Sequence, residues 1–260
     1  MITINQLMAM KQRGEKITCL TCYDASFSRL LERAGVELIL VGDSLGMVLQ
    51  GHDSTLPVTM DDMIYHARCV TRQSGSALYI VDLPYHSYLT VESALQNAQR
   101  LMEQGGAQMV KLEGAMMDVV SALVDQGYPV CAHLGLLPQS VNELGGYHVQ
   151  GRSEEQAQII LDDAIALQQA GASLLVLECV PASLGKRISL ALDIPVIGIG
   201  AGVDCDGQVL VLYDALGITP GKRPRFSKDF LAENEDIAAA LKAYVRAVKD
   251  ELFPAAEHSF

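Results

Sequence analysis

Asp43, Ser44, Asp82, Lys111, Glu113, His133 and Glu178 are the side chains of this sequence whose type and placement invite chemistry. They close short apolar runs: Val41-Gly42-Asp43-Ser44, Ile80-Val81-Asp82, Val110-Lys111-Leu112-Glu113, Cys131-Ala132-His133 and Val176-Leu177-Glu178. In an extended chain Lys111 and Glu113, two apart, share one face, and the apolar Val110 and Leu112 take the other. Several carboxylates gathered in one place cannot all ionise without a cation. Oxygen donors select Mg²⁺ or a similar hard ion, whereas zinc would call for softer ligands. Such an ion takes one or two carboxylates directly and leaves its other positions to water or substrate. A 2-oxo acid fits, because its carboxylate and keto oxygens chelate together. The cation would then polarise the carbonyl and stabilise an enolate, while a separate carboxylate removes the adjacent proton.

Taken singly, each residue has a plainer role. Asp43 and Asp82 would cap the turns that follow them, Lys111 and Glu113 would pair as ions, and His133 would be a hydrogen-bonded core histidine. Five consecutive runs ending in ionisable groups, four of them with a carboxylate, favour a common site.

The runs belong to a longer pattern. Segments 17–22, 37–41, 77–81, 108–112, 130–133, 173–178, 195–199 and 209–213 are short and mostly apolar on both faces, as buried parallel strands are. Between them, helical spacing appears near 25–34, 60–73, 91–104, 115–126, 154–170, 182–192 and 229–249. This alternation predicts parallel βαβ units. Gly35, Gly106 and Gly171, each just before a strand, supply left-handed helix stops. Eight strands in 260 residues, against about 250 for a typical barrel, predict one (β/α)₈ (TIM) barrel. Residues 1–260 would form a single catalytic domain with its active face at the carboxyl ends of the strands. The segment 200–208 leaves room only for a short turn or helix, so an open doubly wound sheet is the alternative. An extra N-terminal helix over 4–13, capped by Thr3, would cover the bottom of the barrel. The long connections 44–59 and 134–153 should surround the mouth, as substrate-covering loops or as ordinary surface. Lys222-Arg223-Pro224-Arg225 is read as a solvated basic loop, with an anionic substrate tail as the alternative.

Nineteen basic residues against 31 acidic give a formal charge of −12, which disfavours nucleic acid and anionic membranes as partners. A small substrate is expected. Residues 1–16 alternate apolar with polar and lack the apolar stretch of a signal peptide. Runs such as 174–177 are too short to span a bilayer, so the expected location is the cytoplasm. Cys19, Cys22, Cys69, Cys131 and Cys179 lie in apolar or strand-like settings and Cys205 in a polar loop. Cys19 and Cys22 spell C-x-x-C on a strand, where residues three apart face opposite sides. A metal or redox pair is not expected there, and reduced thiols suit a cytosolic chain.

The same residues carry a family resemblance. The matching segments are 41–47, 50–59, Asp82-Leu83-Pro84, Val110-Lys111-Leu112-Glu113-Gly114, His133-Leu134-Gly135-Leu136 with Pro138-Gln139, Gly145-Gly146-Tyr147, Leu177-Glu178, and 198–202 with Asp206-Gly207-Gln208. In this order, over nearly the whole chain, they resemble the ketopantoate hydroxymethyltransferase family. Departures fall in the outer helices and at His148, none at a catalytic position. The resemblance implies hydroxymethyl transfer from 5,10-methylenetetrahydrofolate to 3-methyl-2-oxobutanoate, giving 2-dehydropantoate in pantothenate biosynthesis. It implies that Asp43, Asp82 and Glu113 serve one Mg²⁺ per subunit. It also implies that Ser44, Asp43, Asp82 and Lys111 contact the oxo acid, that His133 hydrogen-bonds substrate or intermediate, and that Glu178 accepts the proton. A large homo-oligomer, a homodecamer, is implied as well. A metal-dependent 2-oxo acid lyase or aldolase on a related barrel, needing no folate, and a non-catalytic binding barrel are the competing readings.

Overall fold

The computed structural model describes residues 1–72, 75–142, 145–219, 221 and 223–260. Gln73, expected in a helix, and Lys222 of the basic stretch lie outside the described residues, as do positions 143 and 144 of the second long loop.

The chain begins with helix α1 (Ile4–Gln12), where the Thr3 side chain accepts from the Gln6 N–H and the Gln6 side chain returns the bond. Such a capping box is worth about 1 kcal/mol. Then β1 (Ile17–Thr21) leads to α2 (Ala25–Ala34), capped by Asp24 and stopped by Gly35 at φ 90°. After β2 (Leu38–Val41) come a short helix α3 (Leu45–Val48) and then α4 (Met60–Thr71). The order continues β3 (Leu78–Asp82), α5 (Val91–Gly105), β4 (Met109–Glu113), α6 (Met117–Asp125) and β5 (Val130–Gly135). A 3₁₀ turn at Pro138–Ser140 precedes α7 (Glu154–Gln169), β6 (Leu174–Glu178), α8 (Ala182–Ala191), β7 (Val196–Ile199) and β8 (Gly207–Leu210). A short α9 (Leu212–Ala215) and α10 (Ile237–Lys249) follow.

All eight strands pair in parallel, and β8 returns to β1 with Ile17 opposite Gly207 and Cys19 opposite Val209. The sheet is a closed (β/α)₈ barrel, and the open-sheet alternative falls. Side chains of even and odd parity separate into two cores. Ile17, Cys19, Leu38, Ile80, Met109, Val176 and Val209 fill the barrel, and Leu7 and Met10 of α1 pack against them from below. Burying each of those two side chains stabilises by roughly 1.5–3 kcal/mol, and together they make a dry floor. Leu20, Ile39, Val81, Val110, Leu112 and Leu177 point outward to the helices. The polar ends of the interior rows are therefore left to the opposite, carboxyl end.

Two expectations need correction. The eighth strand spans Gly207–Leu210, and Leu212 and Tyr213, predicted to extend it, begin α9. The last helix starts at Ile237, where Asp236 caps it by accepting from the Ala239 N–H, and residues 229–236 are turns. Cys205 sits in the β7–β8 connection yet is fully buried. Between β7 and β8 there is no helix, only turns. Cys19 faces the barrel interior and Cys22 the helix layer, so the C-x-x-C pair diverges as expected, and all six cysteines are free. No helix among the described residues is long and apolar enough to cross a membrane.

Candidate active site at the carboxyl end of the barrel

Register assembles the site. In adjacent strands Asp82 stands opposite Lys111, Glu113 opposite His133, and Gly135 opposite Glu178. Asp43 and Ser44 follow β2 directly. Every residue anticipated from the sequence thus lies at one end of the barrel. Asp43, Asp82, Lys111, Glu113 and His133 are buried, and Glu178 is slightly more open.

Lys111 Nζ donates to Asp82 Oδ1 at 2.7 Å, and Asp82 Oδ2 accepts from the Asp43 N–H at 3.0 Å. Burial alone would lower the Lys111 pKa, but the charges of Asp82, Glu113 and Asp43 outweigh it and raise the group above its ordinary value. The same surroundings act oppositely on the acids. Burial, then the charges of Asp82 and Glu113, push the Asp43 carboxyl well above the usual carboxylate range. Burial pushes Glu113 up to about 7 even though Lys111 pulls it down. One ammonium is too little positive charge for three buried carboxylates.

His133 stands between two carboxylates. Its Nδ1 is 3.5 Å from Glu113 Oε1 and its Nε2 is 3.4 Å from Glu178 Oε2. Neither nitrogen makes a hydrogen bond of good geometry, so both are buried polar atoms without a partner among the described residues. Burial, with Lys111 adding to it, holds the imidazole pKa below its usual value and favours the neutral ring.

The backbone around Glu178 is tightly constrained. Gly135 has φ 92°, and a Cβ there would lie 2.1 Å from the Glu178 carbonyl oxygen, which accepts from the Leu136 N–H at 2.8 Å. Only glycine allows the ends of β5 and β6 to approach this closely. Cys179 adopts φ 48°, a left-handed conformation that costs a non-glycine residue about 1–2 kcal/mol. Its N–H bonds to Ile199 and its carbonyl to Gln150, and these bonds hold the turn that aims Glu178 inward.

The geometry adds residues that the sequence reading did not single out. The Gln139 side chain donates to Asp43 Oδ2 at 2.9 Å and to the Leu83 carbonyl at 3.0 Å, and the Gln139 N–H donates to Glu113 Oε2 at 3.0 Å. Tyr88 donates to Gln139 Oε1 at 2.6 Å. The Ser44 hydroxyl is 2.9 Å from that of Tyr23, which donates to Thr21 Oγ1 at 2.8 Å. Gln139 appears in a matched motif, but an amide in a loop carries no charge signal, and its role depends on contacts distant in sequence. No three His, Cys, Asp or Glu side chains among the described residues converge to enclose an ion by themselves.

Both long loops flank this mouth, and the Tyr147 hydroxyl reaches Met47 Sδ at 3.7 Å to join them. The basic stretch after β8 has partners within the chain. Arg223 is 3.7 Å from Asp229, and Arg225 donates to the Glu257 carbonyl and lies over the Phe260 ring.

Known proteins match the chain over nearly its whole length. The sequence profile of ketopantoate hydroxymethyltransferase matches residues 1–256. The chain is 59% identical to 3-methyl-2-oxobutanoate hydroxymethyltransferase of Nitrosococcus oceani, covering 100% of this chain and 99% of that one. It is 58% identical to the protein of the same name from Alkalilimnicola ehrlichii, covering 100% and 94%. Among solved structures, a putative phosphonomutase from Burkholderia cenocepacia superposes with TM-score 0.65 at 15% identity over 83% of this chain and 95% of that one. A phosphonopyruvate hydrolase superposes with TM-score 0.63 at 14% identity over 98% and 99%. These two likenesses concern the fold alone. An enzyme that transfers a hydroxymethyl group to 3-methyl-2-oxobutanoate accounts for the sequence matches, and the chain belongs to the ketopantoate hydroxymethyltransferase family.

Proposed function

We propose that this transferase takes its one-carbon unit from 5,10-methylenetetrahydrofolate and joins it to C3 of 3-methyl-2-oxobutanoate, giving 2-dehydropantoate. Asp43, Asp82 and Glu113 would hold one Mg²⁺ per subunit. The observation that carries the cation is the charge imbalance: three buried carboxylates face a single ammonium, and burial already pushes Asp43 and Glu113 up. An all-oxygen donor set suits a hard ion, and one that keeps several positions for water and substrate needs no closed protein cage. Bound there, Mg²⁺ would polarise the keto oxygen and ease loss of the neighbouring proton.

The remaining roles fall to the side chains. Lys111, held by Asp82, offsets charge on the bound acid. Ser44 contacts the acid, and the Tyr23 hydroxyl, 2.9 Å from its own, holds the side chain in place. Glu178, the more open carboxylate, accepts the C3 proton. His133 hydrogen-bonds substrate or intermediate with a ring nitrogen that has no partner among the described residues. The new carbon–carbon bond then forms between C3 and the one-carbon unit, water supplies the hydroxyl as the carbon–nitrogen bonds to the folate break, and tetrahydrofolate leaves with the C3 proton and one proton of that water on its nitrogens. We read residues 1–260 as one catalytic unit that works in the cytoplasm as a homo-oligomer, a homodecamer, and sedimentation showing only monomer at micromolar concentration would remove the last point.

The test is product formation followed by proton NMR. Enzyme, Mg²⁺, 3-methyl-2-oxobutanoate and 5,10-methylenetetrahydrofolate should yield 2-dehydropantoate, and omission of the folate should abolish it. Asp43→Ala and Asp82→Ala should remove activity and weaken Mg²⁺ binding in calorimetry with the fold retained. Unchanged Mg²⁺ affinity in both variants would sink the ligand assignment.

A further inference from the structure

The loop that follows β5 reaches back across the barrel mouth to the ends of three other strands through one residue. Gln139 lies in the 3₁₀ turn Pro138–Ser140 and is 5% exposed. Its backbone N–H serves Glu113 after β4, and its side-chain amide serves Asp43 after β2 and the Leu83 carbonyl after β3. Its amide can sit only one way. The Leu83 carbonyl is an acceptor, so the NH₂ must face it, and Oε1 then faces the Tyr88 hydroxyl. Both amide hydrogens are therefore committed, one to Leu83 and one to Asp43 Oδ2. Tyr88 completes the brace, since its oxygen accepts from the Glu113 N–H at 3.3 Å while its proton goes to Gln139.

The consequence concerns direction. Among the described residues, Gln139 is the one side chain that bonds the Asp43 carboxylate. Holding Oδ2 fixes the plane of the carboxylate and leaves Oδ1 to a ligand. Glu113 is treated alike, with Oε2 taken by the Gln139 N–H. We propose that Gln139 is a positioning residue that orients Asp43 and Glu113, so that the grip on a divalent cation depends on the seating of the loop after β5. This rests on the cation reading above and names what sets its strength. Asp43 and Gln139 lie 96 residues apart in the chain, so the brace can exist only when that loop is down on the mouth.

The test uses Gln139→Met, which keeps length and bulk, removes the side-chain bonds and spares the backbone bond to Glu113. Mg²⁺ is titrated calorimetrically into full-length wild-type and variant protein with 3-methyl-2-oxobutanoate present. Loss of a group that orients a ligand weakens metal affinity by about ten- to hundred-fold, and the half-saturating Mg²⁺ concentration in turnover should rise by the same factor. Tyr88→Phe loosens the brace from outside and should shift the constant the same way by less, about two- to ten-fold. If Gln139→Met does not fold, Tyr88→Phe alone decides. A Mg²⁺ constant that stays within two-fold of wild type in the folded variants overturns the proposal, even if melting temperature or activity falls, because a purely structural role predicts that pattern. Wild-type protein that takes up no Mg²⁺ overturns the cation reading itself, and the proposal with it.

Discussion

Replacing Lys111 with methionine keeps the length of the side chain and removes the single positive charge that balances the carboxylates. Lys111 and Asp82 are 4% and 2% exposed and their charged atoms are 2.7 Å apart. Without the ammonium, Asp82 Oδ2 keeps its bond from the Asp43 N–H, but Oδ1 loses its donor. Breaking a buried pair by removing one partner costs about 3–5 kcal/mol, because a charge is left uncompensated, whereas replacing both partners with neutral groups is often close to neutral. Against a total stability of roughly 5–15 kcal/mol, Lys111→Met should be conspicuous. Urea unfolding followed by circular dichroism at pH 7.5, with a chelator present, should show that loss. The double variant Lys111→Met/Asp82→Asn should recover most of it. Lower pH should shrink the deficit of the single variant, because protons then neutralise carboxylates that Lys111 no longer balances. A single variant within about 1 kcal/mol of wild type, the upper end of what exposed pairs contribute, would refute the reasoning. So would a double variant as unstable as the single one.

Two further outcomes follow from the same geometry. Glu113 is raised in the fold to about 7 from 4.5, so the folded protein binds this proton more tightly than the unfolded chain. Its contribution is fully present below about 4.5 and is lost as pH rises through about 7. At about 1.4 kcal/mol per pKa unit that is about 3 kcal/mol, and Asp43, shifted the same way, adds to it. Chemical unfolding of metal-free protein at pH 5 and 8 should show the decline, Glu113→Gln should flatten it, and parallel profiles for the two proteins would argue against it. Gly135→Ala should force apart the ends of β5 and β6, since the new Cβ would meet the Glu178 carbonyl at 2.1 Å. The backbone strain alone costs about 1–3 kcal/mol, with proton removal by Glu178 slowed more than ten-fold in the folded protein. Wild-type rates in Gly135→Ala would show that Glu178 does not depend on that approach.

Much of the site was readable in the sequence because a parallel barrel converts strand ends into neighbours. Lys111 and Glu113 two apart, with Val110 and Leu112 between, already assign one face to the mouth and one to the helices, and the two cores divide that way. Period alone misled where an apolar run changes structure without changing composition. The run from Val209 to Tyr213 is continuous, yet the chain leaves the sheet after Leu210, and the Leu212 N–H bonds to Thr21 Oγ1 instead of a strand neighbour. Asp229 looked like a helix start, but its side chain accepts from the Leu231 and Ala232 N–H groups in a turn, and Asp236 is the cap that begins α10. Gln139 was illegible as a site residue for a different reason. It is neutral, it sits in a loop, and it acts only through Asp43, Leu83, Glu113 and Tyr88, which folding alone brings to it.

The central claim is that Glu178 removes the C3 proton before any carbon–carbon bond forms. In deuterated water, wild-type enzyme with Mg²⁺ and 3-methyl-2-oxobutanoate, and no folate, should exchange the C3 hydrogen, as followed by proton NMR. Glu178→Gln keeps size and loses the base, so exchange should slow by roughly two to four orders of magnitude, while binding of the oxo acid changes much less. Exchange that strictly requires folate in the wild type would contradict a separate proton-removal step. Rapid exchange in Glu178→Gln would move the base to another residue, with His133, 3.4 Å away, the next candidate.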